Sequence, residues 1–302
     1  MKQHPSGKRV KKSGTMTTVI VVLVFVVGLS LLLYPTVSNY INTRHQSSVI
    51  HQYTEQISQA GKEQNAKEFA AAEAYNRALL ERGNTYLLSD EQLQQYNSLL
   101  NSGGSGVMAY LEIPVLGTSL AIYHGTDENV LQVAVGHLEW TSLPVGGEST
   151  HCVVSGHRGL PSAELLTNLD RMELGDRFYI HVLGETLEYK VDNIAVVEPD
   201  DLTLLGITEG EDYVTLLTCT PYGINSHRLL VRGSRVRTSA DAEPNVTPAL
   251  PNEAREIGIG YLVAGGVLVL VVLAFLWLVI DFKRKKRKKG GKRLIENQET
   301  WW

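Results

Sequence analysis

Three side chains suited to acyl transfer lie at the ends of apolar runs. Cys219 follows Thr215-Leu216-Leu217-Thr218, a β-branched-rich run of the kind that forms a strand. Pro221 and Gly223 then break the pattern and mark a loop. Leu229 to Val231 returns as a second strand, with Arg228 at or near its start. His157 stands just past a third run, Val153-Val154-Ser155. Three roles are open to Cys219: a buried small apolar residue, the usual fate of a free cysteine; a disulfide with Cys152, the only other cysteine; or a nucleophile. A nucleophile needs a base nearby and a cation or amide donors to hold developing negative charge. His157 and Arg228 supply both, which favours the nucleophile and leaves Cys152 as a buried strand residue with a free thiol.

The run Thr215-Leu216-Leu217-Thr218-Cys219-Thr220-Pro221-Tyr222-Gly223-Ile224-Asn225-Ser226-His227-Arg228-Leu229-Leu230-Val231-Arg232-Gly233 occurs together with Ser155-Gly156-His157-Arg158-Gly159-Leu160-Pro161. The pair resembles a sortase, specifically the pilin-polymerising class C kind. The resemblance covers roughly residues 106–236 and includes Thr141-Ser142-Leu143-Pro144-Val145-Gly146-Gly147. It implies a mostly β fold, a sortase-type closed β-barrel with short helices, and a cysteine transpeptidase. Cys219, as thiolate, would attack the Thr–Gly carbonyl of an LPXTG-like sorting signal on a pilin or surface protein. His157 would protonate the departing amine and deprotonate the incoming one. Arg228 would steady the oxyanion or position the substrate. In class C the acceptor is a pilin lysine.

Other residues have weaker claims. Thr218 and His137 are candidates to line the substrate groove. His227 adjoins Arg228 and, on a shared strand, faces away from it; Arg232 shares its face. Class C sortases often carry a lid with an Asp-Pro-aromatic motif over the cysteine. This sequence lacks the motif, and Asp90 is either its remnant or a plain capping residue. No Cys/His spacing suggests zinc and no glycine-rich phosphate loop follows a strand, so no metal and no cofactor is expected. The same residues would serve a sortase that joins surface proteins to a cell-wall amine. A non-catalytic, membrane-anchored pilus-assembly scaffold would need no reactive Cys219.

Charge and hydropathy place these residues. The 302-residue chain carries a net charge of −4, but its ends are basic and its middle acidic. Residues 16–34 hold no charged side chain, and residues 257–280 form a second uncharged stretch; each approaches the roughly 20 residues of a membrane-crossing helix. Basic residues lie just outside both. The positive-inside rule then puts both termini in the cytoplasm and everything between the spans outside. No small-residue cleavage site follows the first span, which favours a retained anchor. The basic runs abut apolar spans, so membrane lipid rather than nucleic acid is their expected partner. These features describe a multi-pass membrane protein, and the sortase resemblance implies the cell membrane of a Gram-positive-type bacterium.

The expected organisation is a basic tail (1–15), a transmembrane helix (16–34), an extracytoplasmic helical segment with a possible degenerate lid (35–101), and the β-barrel (102–237). A proline-rich spacer (238–256), a second transmembrane helix (257–280) and a basic tail (281–302) follow. Ile50, Tyr53 and Ile57, then Phe69, Ala72, Asn76 and Leu79, give one long helix or two a modest apolar face. Ser89-Asp90-Glu91-Gln92 has the form of a capping box. Strands are expected at 107–113, 119–123, 130–136, 151–155, 177–183, 186–197, 213–218 and 229–236. A short helix is expected at 161–169 and a turn of one at 199–205.

Overall fold

Alternation of side chains decides what each strand buries. In the stretch around Cys219, Val214 and Leu216 fall in the main core, as do Leu229 and Val231 on the returning strand and Cys152 and Val154 on a third. The residues between them, Val153, Leu217 and Leu230, point to the other face and join a second, smaller apolar cluster. The barrel is therefore apolar on both sides of these strands.

The computed structural model describes residues 13–83, 86–101 and 103–236; the expected spacer, the second span and the C-terminal tail lie outside the described residues. Eight strands form the barrel: β1 (Val107–Ile113), β2 (Thr118–His124), β3 (Val135–His137), β4 (Thr150–Ser155), β5 (Arg177–Val182), β6 (Glu185–Val197), β7 (Asp212–Thr220) and β8 (His227–Arg235). Their order is β1-β2-β3-β4-β7-β8-β6-β5, and β5 pairs back onto β1 to close it. The β2–β3 and β4–β7 pairs are parallel. A parallel pair needs a crossover, and β5 and β6 lie within the one joining β4 to β7. Gly136 permits the approach of β3 to the turn after β2: a Cβ there would stand 2.1 Å from the Gly125 carbonyl oxygen.

Helix α1 (Ser13–Arg82) is continuous except at Gly61, whose φ of 79° breaks it into two arms. Its docking uses polar side chains on barrel backbone as well as apolar ones. Gln46 donates to the Val133 carbonyl (2.7 Å) and accepts from Ala121 N–H (2.8 Å). Tyr53 donates to the Met108 carbonyl (3.0 Å) and accepts from Leu183 N–H (2.9 Å). Asn76 brackets Leu143 in the same way. Among the described residues, α1 is the one helix long and apolar enough to cross a membrane, and Leu23, Val24, Leu31 and Leu32 are exposed on it. Helix α2 (Asp90–Ser98) starts with the expected capping box between Ser89 and Gln92.

Two expected elements differ. Of the 130–136 run only Val135 and Gly136 are strand, in β3; Glu128–Leu131 forms a short helix, α3, with Asp127 at its N-cap position. Acidic residues beside a helix start favour that end of its dipole. Residues 161–169 are irregular, closing with a 3-10 turn at Leu169–Arg171. Leu165, Leu166 and Leu169 are all buried there, with Leu165 at positive φ, so core packing overrides helical spacing.

Candidate active site

The register of β7 against β8 sets Cys219 opposite Arg228. Alternation puts both on the outer face, with Leu217 and Leu230. The β4–β7 ladder pairs Ser155 with Leu217, and Gly156 N–H continues it onto the Leu217 carbonyl (3.1 Å). His157 lies two residues past Ser155 and Cys219 two past Leu217, so both follow the last pair of that ladder. Thiol, imidazole and guanidinium thus lie at the same end of three adjacent strands. Beside them lies the smaller apolar cluster, Val153, Leu205 and Leu230, with Leu138, Trp140, Leu202 and Leu217 packed on it. Leu202 and Leu205 belong to the β6–β7 connection, and the buried Leu205 contributes about 1.5–3 kcal/mol to holding it on the barrel.

Electrostatics distinguish the three groups from their neighbours. Arg228 donates to the carbonyls of Asn225 (3.3 Å) and His227 (3.1 Å) and pairs with no carboxylate among the described residues. Its charge is aimed by backbone and left un-neutralised. Arg232 instead forks onto Asp192 (3.0 and 3.1 Å) and lies over the Tyr213 ring. His157 is 30% exposed, with Nε2 3.7 Å from the Glu128 carboxylate at the start of α3. Neither cysteine is in a disulfide. Burial, and then the Asp212 charge, push the Cys152 thiol well above its ordinary range, which keeps it protonated and inert. A cavity of about 1290 Å³ opens at the other end of β7, against Asp212 and the second arm of α1. Cys219 itself is half-buried.

Three weaker candidates are corrected. Thr218 is buried, and its hydroxyl donates to the Gly156 carbonyl (2.7 Å), so it does not face a substrate. His137 is fully buried: Nε2–H donates to the Ser142 carbonyl (2.8 Å), and Nδ1 takes the Tyr96 hydroxyl (2.9 Å). It organises the Thr141–Gly147 segment from inside and lines no groove. Asp90 is exposed in the first turn of α2 and pairs with no arginine among the described residues. The chain before α2 reaches the apolar cluster through Tyr86, edge-on to Trp140 at 5.0 Å. His227 sits opposite Thr220 and pairs with Glu198 (3.2 Å).

His137 has a measurable consequence. Burial lowers its pKa to about 4, against the raising effect of the Ser142 bond, with the nearby His124 lowering it further. The folded chain therefore resists protonating it, and the stability it contributes above pH 6.5 is lost as pH falls towards 4. That amounts to about 3 kcal/mol of unfolding free energy. Urea unfolding of the wild type at pH 7 and pH 4 should show a drop larger than that of His137→Gln by this amount. Equal drops in the two proteins would remove the assignment.

Two residues escaped the motif reading. Glu128 lay just before a run read as strand and was assigned to no element, although Asp127-Glu128 is a helix-start signal. Arg158 stood within the Ser155-to-Pro161 segment with no role assigned to it. Its Nη1 donates to Thr220 Oγ1 (3.2 Å), and its Nη2 meets the Asp170 carboxylate. Gly159, at φ 79°, comes next; a Cβ there would lie 3.0 Å from the Tyr222 ring, so the two loops touch closely.

Comparison with known proteins agrees with this geometry. A family profile described as Sortase domain matches residues 111–236. The chain is 44% identical to sortase C1 of Streptococcus agalactiae, with a TM-score of 0.62, covering 64% of this chain and 100% of that one. It is 43% identical to sortase C of Streptococcus pneumoniae, with a TM-score of 0.56, covering 65% and 100%. Sortase D of Bacillus subtilis (strain 168) is 28% identical over 129 residues, which are 42% of this chain and 62% of that protein, less than two thirds of its length.

Proposed function

This chain belongs to the class C sortases, a family of cysteine transpeptidases, and from that premise we propose that it polymerises pilin subunits through Cys219, His157 and Arg228. The observation that carries the reading is the pairing of Cys219 with Arg228, which meets no carboxylate among the described residues, at the strand end that His157 follows. The Cys219 thiolate attacks the threonine carbonyl of an LPXTG-like signal. The C–S bond forms as the Thr–Gly bond breaks, and His157 supplies the proton that the glycine amine carries away. Arg228, already aimed by two carbonyls, meets the negative charge on the tetrahedral oxygen. A lysine amine then loses its proton to His157, attacks the thioester and leaves an isopeptide bond, returning the thiolate.

The pilin acceptor is supported by the Streptococcus pneumoniae relative, whose structure is described as giving insight into pilin substrate specificity. The apolar part of α1 serves as the membrane anchor, with the barrel outside the cell. The test is intact-mass analysis of the full chain incubated with a Leu-Pro-Glu-Thr-Gly peptide, first alone and then with two acceptors. An acyl adduct on Cys219 that transfers to a pilin lysine is expected. Transfer only to a cell-wall precursor amine would replace pilin polymerisation with wall attachment, and no adduct would remove the transpeptidase reading.

A further inference from the structure

We propose that Arg158 is a positioning residue for the transfer reaction, clamped to Thr220 and Asp170 so that His157 is held level with Cys219. The proposal rests on the reading of those two residues given above. The β4–β7 ladder ends at the Ser155–Leu217 pair, two residues short of the groups that must cooperate. Past that point no regular pairing keeps the two chains in step. Two side-chain bonds take over: Thr218 Oγ1 to the Gly156 carbonyl (2.7 Å), and Arg158 Nη1 to Thr220 Oγ1 (3.2 Å). Thr218 and Thr220 flank Cys219; Gly156 and Arg158 flank His157. On β7, strand alternation puts the Thr218 and Thr220 hydroxyls on the face opposite Cys219.

The state of the guanidinium supports a geometric role. The Arg158 side chain is only 8% exposed, yet its Nε is buried with no hydrogen-bond partner among the described residues. Nearly all buried donors are satisfied, so an unmet one requires an explanation. Here the planar fork is turned by two partners, Thr220 on the Cys219 side and Asp170 beyond the His157 loop, which leaves the third nitrogen no choice of direction. Lysine, with one charged atom, cannot span both.

The test measures Cys219 alkylation by iodoacetamide against pH in the full chain in detergent, alongside turnover of a quenched Leu-Pro-Glu-Thr-Gly peptide. The difference between wild type and His157→Ala defines the His157-dependent part of the alkylation profile. Arg158→Met should lose that part and lower kcat about 10- to 100-fold, because small misplacements of reacting groups have effects of that size. KM should stay within about threefold. Arg158→Lys should recover part of both, and Thr220→Val should move both in the same direction by less. Arg232→Gln, a control for losing a partly buried arginine elsewhere on β8, should leave profile and kcat unchanged. A wild-type profile in Arg158→Met, or the same loss in Arg232→Gln, overturns the proposal. The alkylation readout needs no peptide turnover. A chain that never cleaves the peptide but still shows the Arg158 effect would sink the substrate reading alone.

Discussion

Cys219→Ala leaves a folded chain that forms no acyl adduct with a sorting-signal peptide and transfers nothing to an amine. The expected loss is on the order of 10⁴-fold or more, down to background, since removing the nucleophile removes the covalent route. Stability should barely change: Cys219 is half-buried, bonded to no disulfide partner, and sits near the end of β7 on the outer face. A shift within about 0.5 kcal/mol is expected, as for substitutions away from the core. Intact mass reads the adduct and urea unfolding reads the fold. Residual turnover at a few per cent of wild type would mean that another group carries the reaction. Cys152 is a poor substitute, because its thiol is buried in the main core on the opposite face of β4.

Arg228→Ala should lower kcat by about 10²–10³-fold with little change in KM, the range seen when a donor to a developing oxyanion is removed. Arg228→Lys should recover only part of this. The ammonium keeps the charge but loses the planar fork that the Asn225 and His227 carbonyls now aim. A matched fall in kcat and rise in KM would instead assign Arg228 to ground-state binding of the peptide backbone. No fall in either would take it out of the site.

The sequence made the strands legible because period two survives wherever one face meets the main core. The strands read at 107–113 and 186–197, for example, match β1 and β6 to within a residue. It failed where local pattern and packing disagree: the three leucines of 165–169 satisfy helical spacing, but the core takes them one at a time from an irregular chain. Cys219, His157 and Arg228 were legible as types at strand ends; their common face follows from registers that no single strand encodes. His137 and Thr218 looked eligible because a polar side chain beside a reactive segment reads alike in sequence whether it points at solvent or at a buried carbonyl. Arg158 was overlooked for the converse reason. Its two contacts lie 62 and 12 positions away along the chain.

The alternation around Cys219 and His157 separates two duties that many catalytic clefts combine. On the proposed reading, side chains that meet the incoming polypeptide project from one surface of the wall, while Thr218, Thr220 and Arg158 keep the reacting pair aligned from behind. Selection for a new recognition sequence can therefore work on Leu138, Trp140, Leu202 or the β6–β7 connection without disturbing that alignment. Families built this way can diversify their clientele while their chemistry stays put.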